Sequence, residues 1–119
     1  MSALVVILAA ACGGVGAAAR YLLDLGIARL AGTRFPWGVM VINISGSLAL
    51  GLVVGILPDT AFVIGAGFLG GYTTFSTAMI DTVALWRDGA RRASVLNAVG
   101  MLLASVAAAA AGLALGSAL

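Results

Sequence analysis

The residues best suited to chemistry lie together in GFLGGYTTFSTAMID, residues 67–81, where three glycines precede the hydroxyls of Thr73, Thr74, Ser76 and Thr77. Gly65, Gly67, Gly70 and Gly71 each cost a helix roughly 0.5–1 kcal/mol relative to alanine, and the β-branched threonines do little to restore it. The stretch is built to break. At membrane depth a broken helix is tolerated only where the freed backbone groups are buried in protein or line an aqueous cavity. Such breaks form ion sites from exposed carbonyls and half-helix ends. Hydroxyl donors and the positive ring edge of Phe75, with no fixed negative charge among them, suit an anion. The same residues also fit a plainer reading, a tightly packed helix whose hydroxyls bond back to its own carbonyls.

Four further positions carry polar groups inside apolar runs. Asn43, within MVINISGSLALG, offers two amide donors and serves equally as helix–helix glue or as part of an ion path. Asn97 and Ser105 are eight residues apart and share one helix face, with Met101 between them. Arg20 sits near the end of the first apolar run. It either snorkels to the interface or lines a water-filled vestibule that concentrates anions. Asp81 comes to the same membrane side, which makes an Arg20–Asp81 pair an expectation.

The elements that must position these groups follow from composition. The chain has 119 residues, 63% hydrophobic and 8% charged, with mean hydropathy +1.21, so it is an all-α integral membrane protein. A hydrocarbon core of roughly 30 Å needs about 20 apolar residues per helix. Four such helices are predicted at about 3–23, 37–57, 61–86 and 93–117, with the third broken near its centre. Together they form one membrane domain over 1–119, and the short connections leave no room for a soluble one.

There is no lysine and no glutamate. With four crossings, Arg29, Arg34, Arg87, Arg91 and Arg92 all fall on one side and none on the other. The positive-inside rule makes the arginine side cytoplasmic and puts both termini outside.

Several functions are set aside on the residues. The single cysteine, Cys12, and the lack of histidine give no disulfide and no transition-metal site. The glycine patterns GGVGAAA and GAGFLG lack the strand and acidic residue of a dinucleotide fingerprint. They read instead as close helix packing, as do the pairs Gly51 with Gly55, Gly67 with Gly71 and Gly112 with Gly116. Met1 to Ala11 has no basic n-region for a secretory signal, and AAAC before Gly13 only faintly suggests lipidation. No nucleophile–base pair or cofactor loop marks an enzyme, and arginines split between two short loops do not suit nucleic acid.

GGVGAAARYLL, NISGSLALG and above all GGYTTFST resemble the Fluc/CrcB family of fluoride channels, and the likeness runs through all four segments in order. The resemblance implies a passive, fluoride-selective channel in a prokaryotic cell membrane, lowering fluoride toxicity as an antiparallel dimer with two pores. It implies that Gly70 and Thr73 supply backbone carbonyls to a structural central sodium ion. It further implies that Asn43 and Phe75 line the fluoride path, with Ser76 and Thr77 as hydroxyl donors. Arg20 becomes the vestibule arginine, and Ser105, with Asn97, belongs to a polar track on the fourth helix.

This chain departs from the family pattern in three ways. The family's second phenylalanine is Ala78 here, the position usually held by tyrosine is Asn97, and the arginine bias is five to none. These departures predict a subunit inserted in one orientation that pairs with an oppositely oriented paralogue, which supplies the missing phenylalanine. Two other readings stand beside it. One is a non-conducting accessory or scaffold subunit. The other is a small multidrug resistance exporter, which needs a membrane-embedded carboxylate in its first helix, where only Asp24 at the helix end is available.

Overall fold

The computed structural model describes residues 2–119. Its helices form four spans long and apolar enough to cross a membrane, Ala3–Ala31, Trp37–Ile56, Phe62–Arg87 and Arg91–Ala118. The first begins under a Ser2 side chain that accepts from the Val5 N–H at 3.3 Å. It runs past the expected end near Leu23 to Ala31 and stops at Gly32, whose φ of 78° no β-carbon residue adopts comfortably. At about 1.5 Å per residue, 29 residues exceed the hydrocarbon thickness, so the turns carrying Asp24 and Arg29 extend past its edge.

The third span is two pieces. Phe62–Leu69 is π-helical and leads into one α-turn, Gly70–Tyr72. Thr73 is then extended, with φ −82° and ψ 157°, and helix resumes over Ser76–Arg87. The expected break is present, and a wide π-turn adjoins it. The Gly70 N–H reaches back five residues to the carbonyl of Gly65. A second π-helical stretch, Leu96–Gly100, lies inside the fourth span beside that break. Such insertions often mark functional sites, because they leave carbonyls without their usual partner and rotate the following side chains.

Two helix pairs carry the packing. The second span packs along the C-terminal part of the fourth, and the first packs on the N-terminal half of the third. Both contacts are made backbone to backbone through glycines. A β-carbon on Gly51 would lie 2.2 Å from the Ala109 oxygen, and one on Gly112 would lie 2.3 Å from the Leu48 oxygen. Likewise a β-carbon on Gly71 would lie 2.0 Å from the Gly13 oxygen. Lipid provides no hydrophobic drive between helices, so close approach and dispersion hold these pairs together. The outer faces are greasy and open, with Leu22 67% and Leu103 64% exposed, as suits a surface solvated by acyl chains. The interior is small. Among the described residues, Val39, Ala78 and Met101 form a buried apolar cluster with Met40 and Met79 packed against it, and Ile42, Leu69 and Leu85 are buried as well.

Gly51→Val is expected to lower thermal stability in detergent by about 1–3 kcal/mol, because carbonyl backbone cannot retreat from the added methyls. Gly14→Ala, where an added β-carbon meets nothing within 4 Å, is expected to change it by less than about 0.5 kcal/mol. Equal losses at the two sites would show that the Gly51–Gly112 approach does not organise the bundle.

Candidate functional site

One side chain holds the break open. Asn43 is buried on the second span, and its Oδ1 accepts from the Thr74 N–H at 2.8 Å while its Nδ2 donates to the Thr74 carbonyl at 2.7 Å. The carboxamide thus satisfies both backbone groups of one residue, as a neighbouring strand would. These two bonds also fix the orientation of the amide. The remaining Nδ2 proton is directed at the thioether of Met101, 3.1 Å away. Glue and path were both open for Asn43 from its type alone; as the chain folds, its donors are engaged within the subunit.

The hydroxyls around the break are engaged locally. Thr73 Oγ1 donates to the Leu69 carbonyl at 2.9 Å, back-bonding across the last turn before the break. Thr74 Oγ1 accepts from the Thr77 N–H at 3.2 Å, which caps the second half-helix, and it also donates to Thr77 Oγ1. Ser76 is exposed and approaches Thr74 Oγ1 at 3.5 Å.

The backbone on either side is free, with opposite polarity. Among the described residues no backbone N–H bonds the carbonyl oxygens of Gly70, Gly71, Tyr72 or Thr73. The N–H groups of Phe75 and Ser76 likewise bond no backbone carbonyl. The first half-helix therefore ends on unpaired oxygens at its negative pole, and the second starts on unpaired N–H groups at its positive pole. Carbonyls of this kind suit a hard cation, whereas the donor end suits an anion. No cluster of three or more His, Cys, Asp or Glu side chains occurs among the described residues.

The break opens into a cavity of about 900 Å³ whose walls are mostly apolar. Asn43, Gly70, Thr73, Phe75 and Ser105 all line it. The structure thus brings together residues from the second, third and fourth spans, 62 positions apart in sequence at the extremes. Phe75 is 77% exposed in the single chain and stands at the open side. Ser105 Oγ is buried with no hydrogen-bond partner, which leaves its donor free.

Four expected residues, Ser76, Thr77, Asn97 and Arg20, do not line the cavity. Asn97 is fully buried behind the cavity wall, donating to the Ala78 carbonyl at 3.3 Å and to Thr82 Oγ1 at 3.0 Å, with its Oδ1 unpartnered. Thr77 is half-buried and turned to Thr74. Arg20 is half-buried on the first span, and its Nε is buried without a hydrogen-bond partner. The expected Arg20–Asp81 pair does not form. The charged neighbour of Asp81 is Asp24, whose carboxylate also rests on Gly38 in the first turn of the second span, where the helix dipole favours it.

Ala78 is 2% exposed and packs against Val39 and Met101. A ring at that position would have to displace these neighbours. Met101 was missed as a partner of Asn43, although its place midway along the Asn97–Ser105 face carried the signal. The Ser94 and Thr82 contacts, with Ser94 Oγ donating to the Thr82 carbonyl at 2.7 Å, had no signal in spacing.

Residues 7–113 match the family model described as CrcB-like protein, Camphor Resistance (CrcB). A protein of Leifsonia xyli subsp. xyli named fluoride-specific ion channel FluC 1 is 43% identical over 98% of this chain and 89% of its own. Nitrobacter hamburgensis has two similar proteins. Its fluoride-specific ion channel FluC 1 is 44% identical over 84% of this chain and 91% of its own, and its FluC 2 is 41% identical over 87% and 89%.

Replacing Asn43 by leucine strands the N–H and C=O of Thr74. The expected loss is about 1–3 kcal/mol for the unpaired donor and acceptor. Amide exchange at Thr74 should accelerate more than about tenfold, with exchange along the packed second and fourth spans much less affected. Unchanged protection at Thr74 would mean that the break holds itself.

Proposed function

The chain belongs to the CrcB family, and from that premise we propose that it is a subunit of a passive fluoride channel that lets fluoride leave the cell down its gradient. The observation that carries this reading is the helix break clamped by Asn43, which sets unpaired N–H groups, hydroxyls and an exposed phenylalanine beside one cavity within four membrane spans. Fluoride is small and tightly hydrated, so it crosses a low-dielectric layer only where donors replace its water at each step. The half-helix N-terminus at Phe75 and Ser76 and the free hydroxyl of Ser105 are such donors, and Asn43 adds one only through the proton that rests on the weakly accepting Met101 sulfur. All are neutral, so none holds the ion too firmly to release it. Arg20, on the first span and outside the cavity wall, serves as the vestibule cation that raises the local anion concentration.

The cavity is open on one side in a single chain, and Phe75 stands exposed at that side. A second subunit covers it. The unpaired carbonyls of Gly70 and Thr73 fit a sodium ion shared between two such breaks, four oxygens in all from the two chains. The ion would hold the two breaks together and balance the oxygen poles of both first half-helices.

The second subunit is an oppositely oriented paralogue. Five arginines at the span ends and the turns joining them, against none on the opposite side, commit this chain to one orientation, with both termini outside. The presence of two such channels in Nitrobacter hamburgensis is in keeping with paired subunits. Ala78 has no ring to contribute to its own side, and the partner supplies it.

The test is fluoride efflux from liposomes, followed with a fluoride electrode against a chloride control, for this chain alone and with an N-terminus-inside relative. Fluoride-selective efflux only from the pair is expected. Robust efflux from the chain alone would overturn the paralogue, and silence in both conditions would favour a non-conducting accessory subunit. Accessibility tags on the chain expressed alone are expected to report both termini outside. A mixture of orientations would remove the basis for obligatory pairing.

A further inference from the structure

Met101 has no obvious reason to contact the polar centre of this fold. It is a 5% exposed methionine within the small interior cluster, yet its sulfur, rather than an oxygen, receives the second amide proton of Asn43 at 3.1 Å. A thioether is a weak acceptor. The other Asn43 bonds, to the Thr74 N–H and carbonyl at 2.8 and 2.7 Å, are strong and hold the break. The amide therefore has one firm donor and one loosely engaged donor, and the loose one lies at the cavity that Asn43, Met101 and Ser105 all line.

Resting on the fluoride-channel reading, we infer that the Met101 thioether is a displaceable stand-in for the permeating ion at Asn43. It keeps the amide proton bonded while no ion is present and yields it to a strong, compact anionic acceptor. Methionine suits this task, because three rotatable bonds let the sulfur swing aside without moving the helix. Ser105 lies one turn further along the same face with an unpartnered hydroxyl. Once the thioether moves, two donors on one wall are free. The exchange also discriminates. Fluoride is a far stronger hydrogen-bond acceptor than a thioether and displaces it. Chloride accepts hydrogen bonds weakly and gains little by doing so. Asn43 is thus both the clamp of the break and, through its second proton, a step on the path, and Met101 is a specificity-determining residue acting through it.

Methyl-¹³C-methionine NMR of the full chain in micelles, with the relative added if efflux requires it, tests this directly. The Met101 methyl, assigned by its survival in Met40→Leu and Met79→Leu and its loss in Met101→Leu, is expected to move on titration with sodium fluoride. Its midpoint should match the half-saturating concentration for efflux, and sodium chloride should not move it. In liposomes Met101→Leu keeps the volume but removes the competing acceptor, so half-saturation by fluoride should fall about threefold. If the leucine variant does not fold, the Met101 methyl is assigned by its contact with the Asn43 amide protons, and its titration in the native chain decides alone. Native efflux with an unmoved Met101 methyl and unchanged half-saturation in the leucine variant would overturn the role of Met101 and leave the channel reading intact. Absence of native fluoride efflux, with or without the relative, would overturn the channel reading and the inference with it.

Discussion

A break in a membrane helix leaves peptide groups that lipid cannot solvate, and the carboxamide of Asn43 answers that constraint here. It pairs with both the N–H and the carbonyl of Thr74, so both backbone groups of a residue at the centre of the break are satisfied by a side chain from another helix. The rest of the site depends on this pairing. The carbonyls before the break and the N–H groups after it can stay unpaired because the turn between them is held from outside. A self-bonded turn would have used those same groups.

The clamp works only if the second span is held at a fixed distance from the third, and close packing provides this. The second span is pinned along the fourth by the Gly51–Gly112 approach, and the third is pinned to the first where Gly71 meets the Gly13 carbonyl. Neither contact has a side chain that could give way. Oxygen and nitrogen groups at the break are therefore positioned by backbone contacts between helices, with few rotamers to vary. The site's polar content is small, and its precision comes from apolar residues that do no chemistry themselves.

The soft interior is the counterpart to that rigid frame. Ala78 belongs to a cluster with Val39 and Met101 against which Met40 and Met79 pack, so flexible thioethers make up much of the filling near it. Met101 links this filling to the polar centre through Asn43. A rigid frame with an adaptable lining suits a path along which an ion must exchange partners at every step.

Composition and spacing alone determined the class of protein, the number of spans, the broken third helix and the residues around the break. Each of these is a local or one-dimensional property: apolar run length, helix-breaking content and charge along the chain. The family was equally legible, because GGYTTFST is a contiguous string. The tertiary structure alone decided which groups meet. That Asn43 pairs with Thr74 across 31 positions, that Met101 rather than Asn97 reaches it, and that Asp81 faces Asp24 instead of Arg20 depend on helix rotation and crossing. Two π-helical stretches shift that rotation, and no regular period in the sequence encodes them. The glycine pairs were visible as small-residue spacing, but which helix each would touch was settled only when backbones packed to within a carbonyl's reach.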